Sequence, residues 1–127
     1  MTLLLDTHAF LWFVTGDARL SRAARRRMEA GGSRLVLSVA SIWEMAIKNS
    51  LGRLALPAPL PDYIEEKRGA GFGIMSVEWT HAVAVAGLPF HHNDPFDRLI
   101  IAQGLAERLP IVSGDPAFLK YGVKVIW

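Results

Sequence analysis

Short runs with strand character recur along the chain, at Leu3 to Leu5, Leu35 to Leu37, Gly73 to Val77, Ile111 to Ser113 and Val123 to Ile126. Most are separated by segments with helical spacing. Alternation of this kind predicts an α/β layered domain with a mostly parallel sheet. In the first such segment Ser21 is an N-cap candidate, and Leu20, Ala24 and Met28 repeat every four residues. Gly31 and Gly32 end that helix, and its opposite face carries Arg22, Arg25, Arg26 and Glu29. A further helix is expected from Ser41 to about Asn49, with Ile42, Met45 and Ala46 on its apolar face. The stretch from Arg53 to Pro61 holds three prolines and reads as a surface excursion, and Pro61 can open a helix through Tyr63 and Ile64. Near the end, Asp94 and Pro95 look like an N-cap and first helical residue. Apolar residues occupy nearly every side from Leu99 to Ala106, so that helix should be buried between other elements.

Composition narrows the class. A chain of 127 residues with 51% hydrophobic content makes one domain, residues 1–127, with an ample core. There is no cysteine, which excludes a disulfide framework and any thiolate metal site and points to a cytoplasmic protein. The run from Ala9 to Val14 is far too short for a membrane helix. A net charge of +2, from 14 basic and 12 acidic residues, does not by itself call for a polyanionic partner.

More is carried by where the acids fall. Asp6 directly follows the first strand, and Asp115 follows the Ile111 to Ser113 strand by one residue. In open parallel sheets ligands bind beyond the carboxyl ends of the strands, so both should project into that crevice. Glu44 and Asp97 each sit in the first turn of an expected helix that can rise from the same edge. Four carboxylates gathered there would repel one another and call for a cation. Hard oxygen donors favour Mg²⁺ or Mn²⁺, and the natural chemistry is phosphodiester hydrolysis. Committing four of the twelve acids to a metal leaves eight against the 14 cations, a basic rim around an acidic centre. Each acid also has a structural reading. Ser41 and Glu44 fit a capping box, Asp97 occupies the matching position after Asp94, and Asp115 before Pro116 fits a turn. Asp6 resists such a reading, because an acid among Leu3, Leu4, Leu5 and the apolar run after His8 is costly unless compensated.

Three segments in the right order, spread over nearly the whole chain, carry a resemblance. They are Leu3-Leu4-Leu5-Asp6-Thr7-His8 through Trp12, Ser41 through Lys48 with Leu51-Gly52-Arg53-Leu54, and His91-His92-Asn93-Asp94-Pro95-Phe96-Asp97-Arg98. Together they resemble PIN-domain toxins of the VapC type. The resemblance implies a three-layer α/β/α PIN-like domain and Mg²⁺-dependent endoribonuclease activity on RNA. It also implies a place in a type II toxin–antitoxin pair, with an antitoxin protein as partner and a homodimer as the assembly. The family's metal-site acids fall on Asp6, Glu44, Asp97 and Asp115. Ser113 stands where many relatives have a threonine and retains a hydroxyl for a supporting hydrogen bond.

Other residues support less. Thr7 could orient Asp6 or a metal-bound water, or cap the local backbone, and Arg98 could meet a phosphate or form a structural ion pair. His91 and His92 read as loop residues near the substrate. The stripe of Arg22, Arg25 and Arg26 reads as a solvated helix face or an antitoxin contact rather than an RNA track, and Trp12 and Trp43 as core or partner contacts. An aspartyl phosphatase is disfavoured because His8 stands where Asp-x-Asp needs its second acid, and a phosphoacceptor domain because its middle strand would have to end in aspartate. The segment Gly69 to Gly73 precedes a strand, so it reads as a flexible link and not as a dinucleotide loop. The alternative from another class is a catalytically inert PIN-like binding or regulatory module acting through a protein partner.

Overall fold

Leu3, Leu4 and Leu5 are all sealed from solvent, which requires that the strand bearing them be covered on both faces. The computed structural model describes every residue from Met1 to Trp127 and shows how this is done. Five parallel strands, β1 (Thr2–Leu5), β2 (Arg34–Ser38), β3 (Gly73–Met75), β4 (Ile111–Val112) and β5 (Val125–Ile126), lie in the order β3-β2-β1-β4-β5. Successive side chains of a strand point to opposite faces, so Leu3, Leu5, Leu37 and Val112 enter one core and Leu4, Val36 and Ile111 the other. The first core is closed by α1 (Thr7–Thr15), α2 (Arg22–Glu29) and α4 (Leu60–Gly69) through Phe10, Leu20, Ala24, Met28 and Tyr63. The second is closed by α6 (Pro95–Glu107) and the 3-10 turn Pro116–Tyr121 through Ile100, Ile101 and Phe118. Met45 and Ala40, both on α3 (Val39–Ser50), reach one core each. The result is the expected three-layer α/β/α sandwich. No helix is long and apolar enough to cross a membrane.

Several boundaries differ from those expected. β3 stops at Met75 rather than Val77, and β5 starts at Val125 rather than Val123. β2 runs directly into α3, whose N-cap is Ser38, its hydroxyl accepting from the Ala40 amide at 3.0 Å. Ser41 is therefore inside the helix, and Ser41 and Glu44 form no capping box. Gly69 closes α4, Gly71 turns the chain at φ +109°, and Phe72 packs edge-on against Phe10 and Phe13. The glycine link is thus a pinned turn. A short helix, α5 (Trp79–Ala84), had no expectation from the sequence, because its faces are not segregated into apolar and polar residues.

The strand order places the functional crevice. The chain steps outward from β1 through β2 to β3, then returns through α5 and α6 to β4 on the other side of β1. This reversal parts the connections beyond the carboxyl ends of β1 and β4, where ligands bind in open parallel sheets. Gln103 clamps α6 to the far side of that edge. Fully buried, it accepts from the Ser38 hydroxyl at 2.5 Å and donates to the Ser76 carbonyl at 3.2 Å. Replacing Gln103 with Leu strands both partners in a dry site and should lower unfolding free energy by about 1–3 kcal/mol. Urea denaturation should show this as a lower midpoint at unchanged slope, and an unchanged midpoint would mean the clamp contributes nothing.

Candidate metal centre

Asp6 is fixed by the end of β1 and the start of α1. Its amide donates to the Val112 carbonyl at 3.1 Å, and its Oδ1 accepts from the Ala9 amide at 2.6 Å, so it caps α1 while facing the crevice. Only 5% of the residue is exposed, and this burial raises its pKa above the ordinary 3.8 against the opposing help of Ser113 and Ala9. Ser113, just past β4, opposes that rise, and its hydroxyl accepts from the Asp115 amide at 3.1 Å.

Glu44 lies in the second turn of α3, not the first, because that helix starts at Val39. Both of its oxygens are engaged. Oε1 accepts from the Thr7 hydroxyl at 2.6 Å, and Oε2 pairs with Lys48 Nζ at 2.7 Å. A hydroxyl has one proton, so Thr7 gives its own to Glu44 and the Ser41 hydroxyl, 2.9 Å away, supplies the other contact. Thr7 orients Glu44, rather than Asp6 or its own backbone as expected. Lys48 was missed, although its place four residues after Glu44 is the spacing of a helical ion pair.

Asp97 occupies the third position of α6, its amide donating to the Asp94 cap at 2.9 Å. Its carboxyl is pushed up to about 8, first by burial and then by the charges of Asp94, Asp6, Glu44 and Asp115. The other three expected acids, together with Asp94, therefore act on Asp97, although the tightest group is a different one. Ligand atoms of His92, Asp97 and Asp115 lie within 4.8 Å of one another, with Asp6 and Glu44 outside that set. Asp115 is exposed and, as its turn reading expected, caps the next 3-10 turn by accepting from the Ala117 amide at 2.9 Å.

His92 enters this group through a tautomer set elsewhere. Tyr121 Oη receives N–H groups from Arg98 and from the His92 backbone, each at 3.2 Å, so its own proton goes to the nearer of its two acceptors, His92 Nδ1 at 2.7 Å rather than the His92 carbonyl at 3.4 Å. Nε2 then bears the hydrogen and donates to Asp97 Oδ2 at 3.3 Å. The sequence held no signal for this, since Tyr121 lies 29 residues away from His92. His91 packs edge-on against Tyr121 and stays exposed. Arg98 forms no ion pair. It is buried, stacks over Phe90, and spends its donors on Tyr121 and on the carbonyls of Pro89, Val85 and Leu88.

A cavity of about 380 Å³ opens beside the acids, lined by Asp6, Asp115, His8, Trp12, Gly114 and Trp127 among others. The basic stripe of α2 divides. Arg25 pairs with Glu29 at 3.6 Å and covers Phe13, whereas Arg26 turns with Arg27 toward Lys124.

Residues 3–124 match the sequence pattern of the PIN domain. The chain belongs to the PIN-domain family. No curated protein matches it. Among solved structures, this PIN domain is similar to VapBC2 from Rickettsia felis bound to a promoter DNA fragment, at 12% identity and TM-score 0.72, covering 98% of this chain and 97% of that one. DNA-bound VapBC from Salmonella typhimurium is similar at 14% identity and TM-score 0.70, covering 98% and 96%. FitAcB from Neisseria gonorrhoeae is similar at 16% identity and TM-score 0.66, covering 97% and 95%. At these identities the likeness is one of fold.

The donor set of Asp6, Glu44, Asp97 and Asp115 is all oxygen, since both His92 nitrogens are already engaged, and the uncompensated charge is negative, which fits a hard divalent cation. The raised pKa of Asp97 gives this site a pH signature. Between about pH 4 and 8 the folded chain holds a proton that the unfolded chain releases, so metal-free stability falls as pH rises through that window and levels off above it. In chelator, the melting temperature should drop between pH 5 and 8 by on the order of 5 °C more than that of Asp97→Asn. Millimolar Mg²⁺ should recover the loss at pH 8. Parallel melting curves for the two proteins would contradict the charge crowding.

Proposed function

We propose that this PIN domain is a Mg²⁺-dependent endoribonuclease, with Mn²⁺ as a working substitute, and the toxin of a type II toxin–antitoxin pair. The observation that carries the reading is Asp97, held near pKa 8 by burial and four neighbouring carboxylates. In the free protein a proton on Asp97 relieves this crowding, and a cation among the acids would compensate all of them at once. Support comes also from the similar complexes, which include VapBC assemblies and a toxin–antitoxin complex from Klebsiella pneumoniae.

Asp6, Asp97, Asp115 and Glu44 would hold the ion. When bound, it supplies positive charge against the phosphate oxygens and acidifies a water. The protein's part is to fix the acids before substrate arrives. Ala9 and Ser113 set Asp6, Thr7 and Lys48 set Glu44, and the His92 Nε2–H occupies Asp97 Oδ2 so that Oδ1 is left free of it. At neutral pH the Asp97 proton leaves as positive charge enters, which couples loading of the site to pH.

The partners follow from surface chemistry. A cavity of about 550 Å³ combines Leu11, Leu54 and Leu56 with Lys48, Arg53 and Lys67, suited to an amphipathic, acidic segment of an antitoxin. Trp43, Trp79 and Phe90 are 59%, 76% and 80% exposed, apolar surface that a homodimer would cover. Asp6→Asn and Asp97→Asn should each keep the fold and lower Mg²⁺-dependent RNA cleavage by roughly a hundredfold or more, and Ser113→Ala by roughly tenfold. Wild-type cleavage by either Asn variant, or cleavage that survives chelation, would refute the assignment. Sedimentation should give a dimer; a monomer would refute that assembly.

A further inference from the structure

Trp127 is placed where the acidic crevice ends and a basic groove begins. It lines the cavity that holds Asp6 and Asp115, and also a second cavity of about 470 Å³ with Arg26, Arg27 and Lys124. No acid lines this second cavity, and none of its three cations has a carboxylate partner. The indole packs against the chain at Gly114, next to Asp115. A Cβ there would come within 2.6 Å of the ring, so only glycine lets it settle so close to the acids. Trp12 stands 6.1 Å away at 58°, and 39% of Trp127 remains exposed.

Resting on the nuclease reading, we propose that Trp127 and the groove of Arg26, Arg27 and Lys124 form the track for single-stranded RNA leaving the acidic centre. A base beside the scissile phosphate stacks on the indole, and the following phosphates meet the three cations. The chemistry is that of single-strand binding in general, in which aromatic faces take bases and a cationic groove follows the backbone. It also divides the basic stripe differently. Arg25 is committed to Glu29 and Phe13, and the functional members are Arg26 with Arg27 and Lys124, which the fold brings together from two ends of the chain.

The test uses the Asp97→Asn protein and a 2′-O-methyl decauridylate, which is not cleaved, compared with a decamer of abasic sugars. The base-bearing decamer should bind roughly tenfold tighter or more. Trp127→Leu should abolish that preference and Trp127→Phe should keep most of it, at unchanged melting temperature. Joint replacement of Arg26, Arg27 and Lys124 by Gln should flatten the log–log salt slope by about two units, from about 0.7 per phosphate on a single strand. Arg25→Gln should leave the slope in place. Equal binding of the two decamers, a Trp127→Leu protein that keeps the preference, or an unmoved slope overturns the track. Cleavage by otherwise wild-type protein separates the two levels. If it cleaves RNA and Trp127→Leu leaves KM unchanged, the track fails while the nuclease reading stands.

Discussion

Repulsion among carboxylates at the carboxyl edge of β1 and β4 is the constraint around which this fold is organised. Each acid reaches the crevice on a different element: Asp6 at the end of β1, Glu44 on α3, Asp97 at the start of α6 and Asp115 after β4. Left to itself, such a cluster would push those elements apart. What opposes it is apolar burial on both sheet faces, together with the Gln103 clamp between α6 and the ends of β2 and β3. The charge is tolerable because the rest of the sandwich is dry and closely fitted.

Compensation within the cluster is uneven, and the unevenness is informative. Glu44 has one partner on each oxygen, Thr7 and Lys48, and Asp6 receives the Ala9 amide with further help from Ser113. Asp115 sits in solvent, where its charge costs little. Asp97 has only the His92 imidazole at 3.3 Å, and the unmet cost collects there. Asp97 is thus the group whose ionisation reports on anything positive that enters. The Arg98–Tyr121–His92 relay keeps the imidazole proton directed at it, so a buried arginine with no carboxylate partner still shapes the site from behind.

Much of this was legible in the chain, for physical reasons that also mark where legibility stopped. Leu3 to Leu5 read as a strand because short apolar runs between turn signals favour one, and Ala24 and Met28 read as a helix face because they recur with Leu20 every four residues, although Leu20 itself lies just before α2. Asp6 stood out because an acid in such surroundings needs a partner. The start of α3 was misplaced because Ser41 imitates a cap, while the real cap, Ser38, follows a strand without any turn signal. Contacts between distant segments left no local trace, as with Tyr121 on His92 and Lys124 beside Arg26. Arg98 was misread for the same reason, since its partners are backbone carbonyls that no sequence pattern displays.

The central claim is that the crevice holds a proton on Asp97 that a divalent cation displaces. Calorimetric titration of Mg²⁺ into the metal-free protein, repeated in buffers of different ionisation enthalpy, counts protons released per ion bound. With Asp97 near pKa 8, release should approach one proton at pH 7 and fall toward zero by about pH 9. Asp97→Asn should release none at either pH. Binding without proton release at pH 7, or no binding at millimolar Mg²⁺, would contradict the account.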